Sequence, residues 1–267
     1  MDSKEQRSAL RAAVYRGDGP AVVHLLQGGA GAYDDLQLAG DGLSAAVTQH
    51  VEGAPELGRR LVLALRQRGW AGDADLADQL DAQLGSGPAP MLRPLPVDLE
   101  ELAGILEGDP LNAGGRIDLT TGEVWPQAAI EYVLETGEED EDTAEDPERW
   151  LPVHNEGSRE AYRDMESFIA SVEDPGRAER LARAIEGRGA FRRFKDELAR
   201  WPSELERWYA LSEERQRGRA RSWLTAARPA VRSHRPARRS RGARRRSRAD
   251  LHPPRLDSHE PSATGAS

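Results

Sequence analysis

Four cations gather at Arg188, Arg192, Arg193 and Lys195, interleaved with Phe191 and Phe194. Arg188 and Arg192 stand at i, i+4, so a helix would place them on one face, with Arg193 one residue round. Guanidinium forks grip phosphates and carboxylates in bidentate fashion, which makes this stretch a candidate anion site. The blander reading is that Asp196 and Glu197 neutralise it and that the phenylalanines are core. The opposite charge concentrates at Glu138, Glu139, Asp140, Glu141 and Asp142, with Glu145 and Asp146 following. Oxygen ligands of this kind suit a divalent ion, yet the spacing lacks the alternation and distal Glu of a calcium loop. The run reads as a solvated loop or as a docking surface for a basic partner. His154, with Asp164 and Glu166 nearby in sequence, has the type of a general base. The six His make no H-x-x-x-H or H-E-x-x-H pair, and Cys is absent, which removes thiol nucleophiles and Cys-based zinc sites. No glycine cluster has the spacing of a phosphate loop. The sequence therefore assigns no catalytic residue, no metal and no cofactor.

The elements that hold these residues follow from charge and hydropathy. Residues 227–267 carry eleven Arg against Asp250, Asp257 and Glu260, a net of +8, so the total of −9 leaves −17 for residues 1–226. That tail, with three large aliphatics and no aromatic, cannot bury enough to offset its chain entropy and is expected to be disordered. Its run Arg244-Arg245-Arg246-Ser247-Arg248 suits nonspecific phosphate contact, or a return onto the acidic body. Residues 85–96, rich in Pro and Gly, read as a linker. The expected organisation is a helical array over 1–84, the linker, an α+β domain over 97–226, and the tail. No stretch has the length and apolarity of a membrane span or a signal sequence, so a cytoplasmic protein with no membrane contact is expected.

Between Leu10 and Leu84 a period of 33 residues recurs: Leu10, Leu43 and Leu76, with Ala12-Ala13-Val14 repeated as Ala45-Ala46-Val47. The first copy should form one helix ending at Ala13, a turn at Gly17-Asp18, a second helix carrying Val22, Leu25 and Leu26, and a left-handed exit at Gly29. With Leu10 and Ala13 at their spacing, the Val-x-x-Leu-Leu run and Gly29-Ala30, this segment resembles an ankyrin repeat. Copy two carries an insertion before LVLALRQRGW, copy three is one helix, and the Thr-Pro-Leu-His signature is absent. Such units need neighbours to bury their faces, so the array should pack on the second domain.

In the second domain, Asp98 should cap a helix bearing Leu99, Leu102, Ile105 and Leu106. GRIDLTTGEVW reads as a hairpin, and Trp150–Val153 as a short third strand. Helices then follow, carrying Ala161, Met165, Phe168, Ile169 and Val172; Ala178, Leu181, Ala182 and Ile185; and, after a break at Gly187-Arg188-Gly189, Phe191, Phe194 and Leu198. Leu205, Trp208 and Tyr209 come next, and Ala220, Trp223 and Leu224 close the series. Eleven of the fourteen aromatics lie between 125 and 223, which places the main core there. The runs EAYRDMESFIASV, LARAIEGRGAFRRFKDEL and ERWYALSEER, with IDLTTGEV before them, resemble the bacterial uncharacterised protein family 0158 (UPF). The resemblance covers about 95–226 and implies no activity.

The expected fold is α+β and mostly helical: ankyrin-like helical pairs, then a small β-hairpin packed with four or five helices, and a disordered tail. The expected function is a non-catalytic module for protein partners. The alternative is an anion- or nucleic-acid-binding regulator using Arg188–Lys195 and the tail. The sequence fixes no oligomeric state.

Overall fold

Turn chemistry sets the front of the chain. In the computed structural model the described residues are 3–28, 35–88, 94–108, 114–136, 146, 148–227 and 232–233. Among these are eleven helices and five strands. Helix α1 (Ser3–Arg16) runs three residues beyond Ala13, because the chain leaves it only where Gly17 supplies a φ of +67°. Asp18 then caps α2 (Gly19–Gln27), its carboxylate accepting from Ala21 N at 3.1 Å. Gly28 closes α2 in a helical conformation (φ −87°); the exit expected at Gly29 lies outside the described residues. Helices α3 (Leu36–Thr48), α4 (Ala54–Arg68) and α5 (Asp73–Gln83) complete the array. Each packs on the next and on the next but one. Their shared core includes Leu10, Val22, Leu43, Leu61, Leu65, Leu76 and Leu80.

After strand β1 (Pro94–Leu95), Asp98 caps α6 (Leu99–Glu107), accepting from the amides of Glu100 (2.9 Å) and Glu101 (3.3 Å). Strands β2 (Gly114–Asp118), β3 (Val124–Pro126) and β4 (Trp150–His154) form an antiparallel sheet in the order β3-β2-β4. Ile117 sits opposite Val124 on one side and Leu151 on the other. The turn between β2 and β3 is held by Asp118, which accepts from the Thr120 amide (2.7 Å) and hydroxyl and pairs with Arg149 at 3.1 Å. Helix α7 (Gln127–Thr136), absent from the expected elements although Ile130, Val133 and Leu134 stand at helical spacing, packs on β2 and β3 and buries only Ile130. Leu102, Ile105, Ile117 and Val153 share a second core with Ala220 and Leu224.

Helices α8 (Arg159–Ala170), α9 (Pro175–Ala184) and α10 (Ala190–Leu198) enclose a third core. Phe168, Phe194 and Trp208 meet edge to face there, with centroids 4.8–6.1 Å apart. Helix α11 (Pro202–Ala227) is continuous over 26 residues, about 39 Å. It joins the apolar residues Leu205, Trp208 and Tyr209 to Ala220, Trp223 and Leu224 across the charged stretch 212–219. The Glu, Arg and Gln residues of that part are strong helix formers, which carries the helix through. Strand β5 (Arg232–Ser233) pairs in parallel with β1. Of the tail from 227, the structure describes only Ala227, which is helical, and Arg232–Ser233; residues 228–231 and 234–267 lie outside the described set.

Candidate functional site

The middle of α11 meets the array through charge. Glu214, 2% exposed, accepts at its two carboxylate oxygens from the amides of Gln37 (2.9 and 3.0 Å) and Leu38 (3.1 Å). It thereby caps α3, whose own N-cap residue, Asp35, makes no capping bond because Arg7 holds it at 2.9 Å. Arg68 links Glu214 (2.8 Å) to Asp73 (2.6 Å). One turn on, Asp41 receives Arg221 at 2.6 Å and Arg217 at 3.2 Å, and Arg221 also donates to Gln37 Oε1 at 2.9 Å. Glu213 pairs with Arg7 (2.7 Å) and Arg11 (3.0 Å). Burial works against the charge on each carboxylate. At Asp41, Arg221 and Arg217 outweigh it, and at Glu213 Arg7 does, so both carboxyls lie below their ordinary value. At Glu214 burial prevails and the carboxyl is pushed up.

Beside this seam opens a cleft of about 950 Å³. From the array it is lined by Lys4, Arg7, Arg11, Leu25 and Leu26; from the other side, by Phe168, Leu205, Tyr209 and Leu211. Glu214, Asp35 and Trp70 also line it. The guanidiniums of Arg68 and Arg215 lie over the Trp70 ring, 4.2 and 3.8 Å from its centroid. Lys4 meets Glu206 at 2.7 Å on the rim, and Tyr209 is 50% exposed. The lining is an apolar floor edged by charges of both signs.

The basic segment is divided by the structure. Arg188 precedes α10, which starts at Ala190 after Gly187 and Gly189 adopt φ values of +71° and +76°. The helical i, i+4 face proposed for Arg188 and Arg192 is therefore corrected: the two glycines break the helix between them. Arg193 turns back onto the end of α9, its Nε donating to Ala184 O at 3.0 Å and its Nη atoms to the carbonyls of Glu186 and Arg188. It satisfies carbonyls that a helix end leaves open, where a cation also meets the favourable end of the helix dipole. Arg192 is 90% exposed and 3.8 Å from Asp196. Arg188 and Lys195 are exposed. Phe194 is buried and Phe191 half-buried, both in the third core.

Of the other candidates, Glu138, Glu139, Asp140, Glu141 and Asp142 lie outside the described residues. His154 is exposed at the end of β4, whereas Asp164 is buried against Arg219 (2.7 Å). Among the described residues no group of three His, Asp or Glu is arranged to hold a metal, and no helix is long and apolar enough to cross a membrane. Sequence reasoning missed the seam and the cleft. The one signal was the anomaly at 212–219, a charged stretch between apolar ones.

Comparison with known proteins adds three findings. Residues 128–234 match the Uncharacterised protein family (UPF0158). A protein of that family from Pseudomonas aeruginosa is 31% identical over 138 residues, which is 50% of this chain and 84% of the relative. No solved structure matches. The family match takes in α11, while Asp35, Gln37, Asp41, Arg68 and Asp73 lie in front of it.

Proposed function

The chain belongs to the Uncharacterised protein family (UPF0158), and on that premise we propose that it is a non-catalytic interaction module whose cleft receives an amphipathic segment of a partner protein. The cleft carries this reading. Its floor of Leu25, Leu26, Phe168 and Leu205 suits the apolar face of a helix, and the rim residues Lys4, Arg11 and Glu206 suit a flanking polar face. The ankyrin-like character of the array belongs to the same proposal. It is supported by packing of each array helix on the next and the next but one and by burial of Leu10, Leu43 and Leu76 at the 33-residue period. A cytoplasmic location completes the proposal, to be checked by fractionation.

The test is site-specific photo-crosslinking in the native cell. A photoreactive phenylalanine at Tyr209, inside the cleft, should trap a discrete protein adduct. The same probe at Tyr15, 74% exposed and outside the cleft, should not. Leu25→Glu should abolish the Tyr209 adduct. Equal labelling from both positions would refute the cleft as the binding surface.

A second reading, anion or nucleic-acid binding, draws on Arg188, Arg192 and Lys195, which are exposed and, apart from the long Arg192–Asp196 contact, make no ion pair among the described residues. Heparin retention at low salt that falls in an Arg188→Ala/Arg192→Ala/Lys195→Ala variant is the expected result. Retention lost only on deletion of 234–267 would move the activity to the tail.

A further inference from the structure

Among the described residues no apolar cluster joins the array to the rest of the protein. The buried hydrophobics of the array form one cluster between residues 10 and 80, and those of the remainder form two clusters between 95 and 224. What crosses the boundary is Arg215 stacked on Trp70 and a belt of ion pairs and charge-assisted hydrogen bonds: Glu214 with Gln37, Leu38 and Arg68; Arg217 and Arg221 with Asp41; Glu213 with Arg7 and Arg11. Beside them the backbones of Ala71-Gly72 and Gly218 touch so closely that neither glycine has room for a Cβ, so no side chains interlock there.

Two physical consequences follow. Ions taken from water lose hydration that their mutual attraction only roughly restores, so the closed seam gains little over the separated, rehydrated state. Each apolar cluster, by contrast, loses its whole burial term when it opens. Polar contacts between parts of one chain accordingly behave like transient interfaces, for which relative motion is the default. The cleft already reaches Glu214 and Asp35 within the seam.

We propose that the array is a releasable latch: it detaches from the charged face of α11 with its own core intact, exposing the surface of Glu213, Glu214, Arg217 and Arg221 to solvent. In the closed state the occupant of that surface is residues 3–88 of the same chain. The inference stands whether or not the cleft takes a partner.

Native-state hydrogen exchange on the full chain tests it. The amides of Gln37 and Leu38, which donate to Glu214, report the seam; those of Leu65 and Phe168 report the cores on either side. Asp41→Ala leaves Arg217 and Arg221 short of their shared carboxylate and should speed Gln37 and Leu38 exchange by about a hundredfold. Leu65 and Phe168 should hold their wild-type rates. Val62→Ala thins the array core instead, and should speed Leu65 while leaving Gln37 unchanged. Seam and core amides accelerating together in both variants would show one cooperative unit and overturn the latch. So would an unchanged Gln37 rate in Asp41→Ala.

Discussion

Replacing Glu214 by Ala removes the acceptor for two α3 amides and for Arg68 Nη1 at one stroke. An amide left unsatisfied in a buried place costs about 1–3 kcal/mol, and loss of a helix cap typically about 1 kcal/mol. Arg68 keeps Asp73 at 2.6 Å, so its charge is not stranded. Relief of the buried carboxylate works in the other direction, since burial already pushes its protonation up. The balance is a loss of about 2–4 kcal/mol, set by the two amides left without an acceptor and the lost helix cap. At roughly 2–4 °C per kcal/mol for a chain of this size, the melting temperature should fall by about 10 °C. Urea unfolding followed by far-ultraviolet circular dichroism gives the free energy, and a thermal scan the temperature. Because Glu214 caps α3, the loss should fall first on the array. A loss below about 1 kcal/mol would refute the reasoning, for it would mean that water replaces the carboxylate without cost.

Other outcomes follow from the same contacts. Arg193→Ala should destabilise by about 1 kcal/mol through the freed carbonyls at the end of α9, with unchanged heparin retention; a loss of retention at constant stability would return Arg193 to the anion-binding set. Gly218→Ala should cost about 1–3 kcal/mol, because the added methyl meets the Ala71 carbonyl rather than a flexible side chain; a neutral result in urea unfolding would contradict that close approach. For pH, Asp41 and Glu213 have carboxyls lowered in the folded state, so the unfolded chain takes up protons first as acidity rises. Their contribution is whole above the ordinary carboxylate value of about 4 and is lost as pH falls through the lowered folded values. Asp41→Asn should therefore flatten the acid limb of the stability profile, and an unchanged limb would rule Asp41 out as its source.

Much of the secondary structure was legible in the chain. Gly17-Asp18 announces a turn, Asp98 a helix start, Gly187 and Gly189 a break, and Ile117, Val124 and Leu151 meet across the sheet as their alternation suggests. These are local matters, settled by side-chain reach, allowed φ and a period of 2 or 3.6. The roles of the charged residues were not local. Arg193 reads as a free cation next to Arg192, yet it ends up bound to backbone nine residues away. Glu213, Glu214, Arg217 and Arg221 carry no local signal of their partners in the array, which lie 146 to 206 residues earlier.

The amino-acid sequence determined where helices begin and stop, which residues are apolar enough to be core, and the family to which the chain belongs. Only the tertiary structure decided which charges are buried, because a charge is tolerated inside only when a partner of opposite sign arrives with it. Pattern reveals what one element wants to bury, and says nothing of which distant element will meet it. For that reason the seam at Glu214 and the cleft beside it emerged only when α11 was laid against the array.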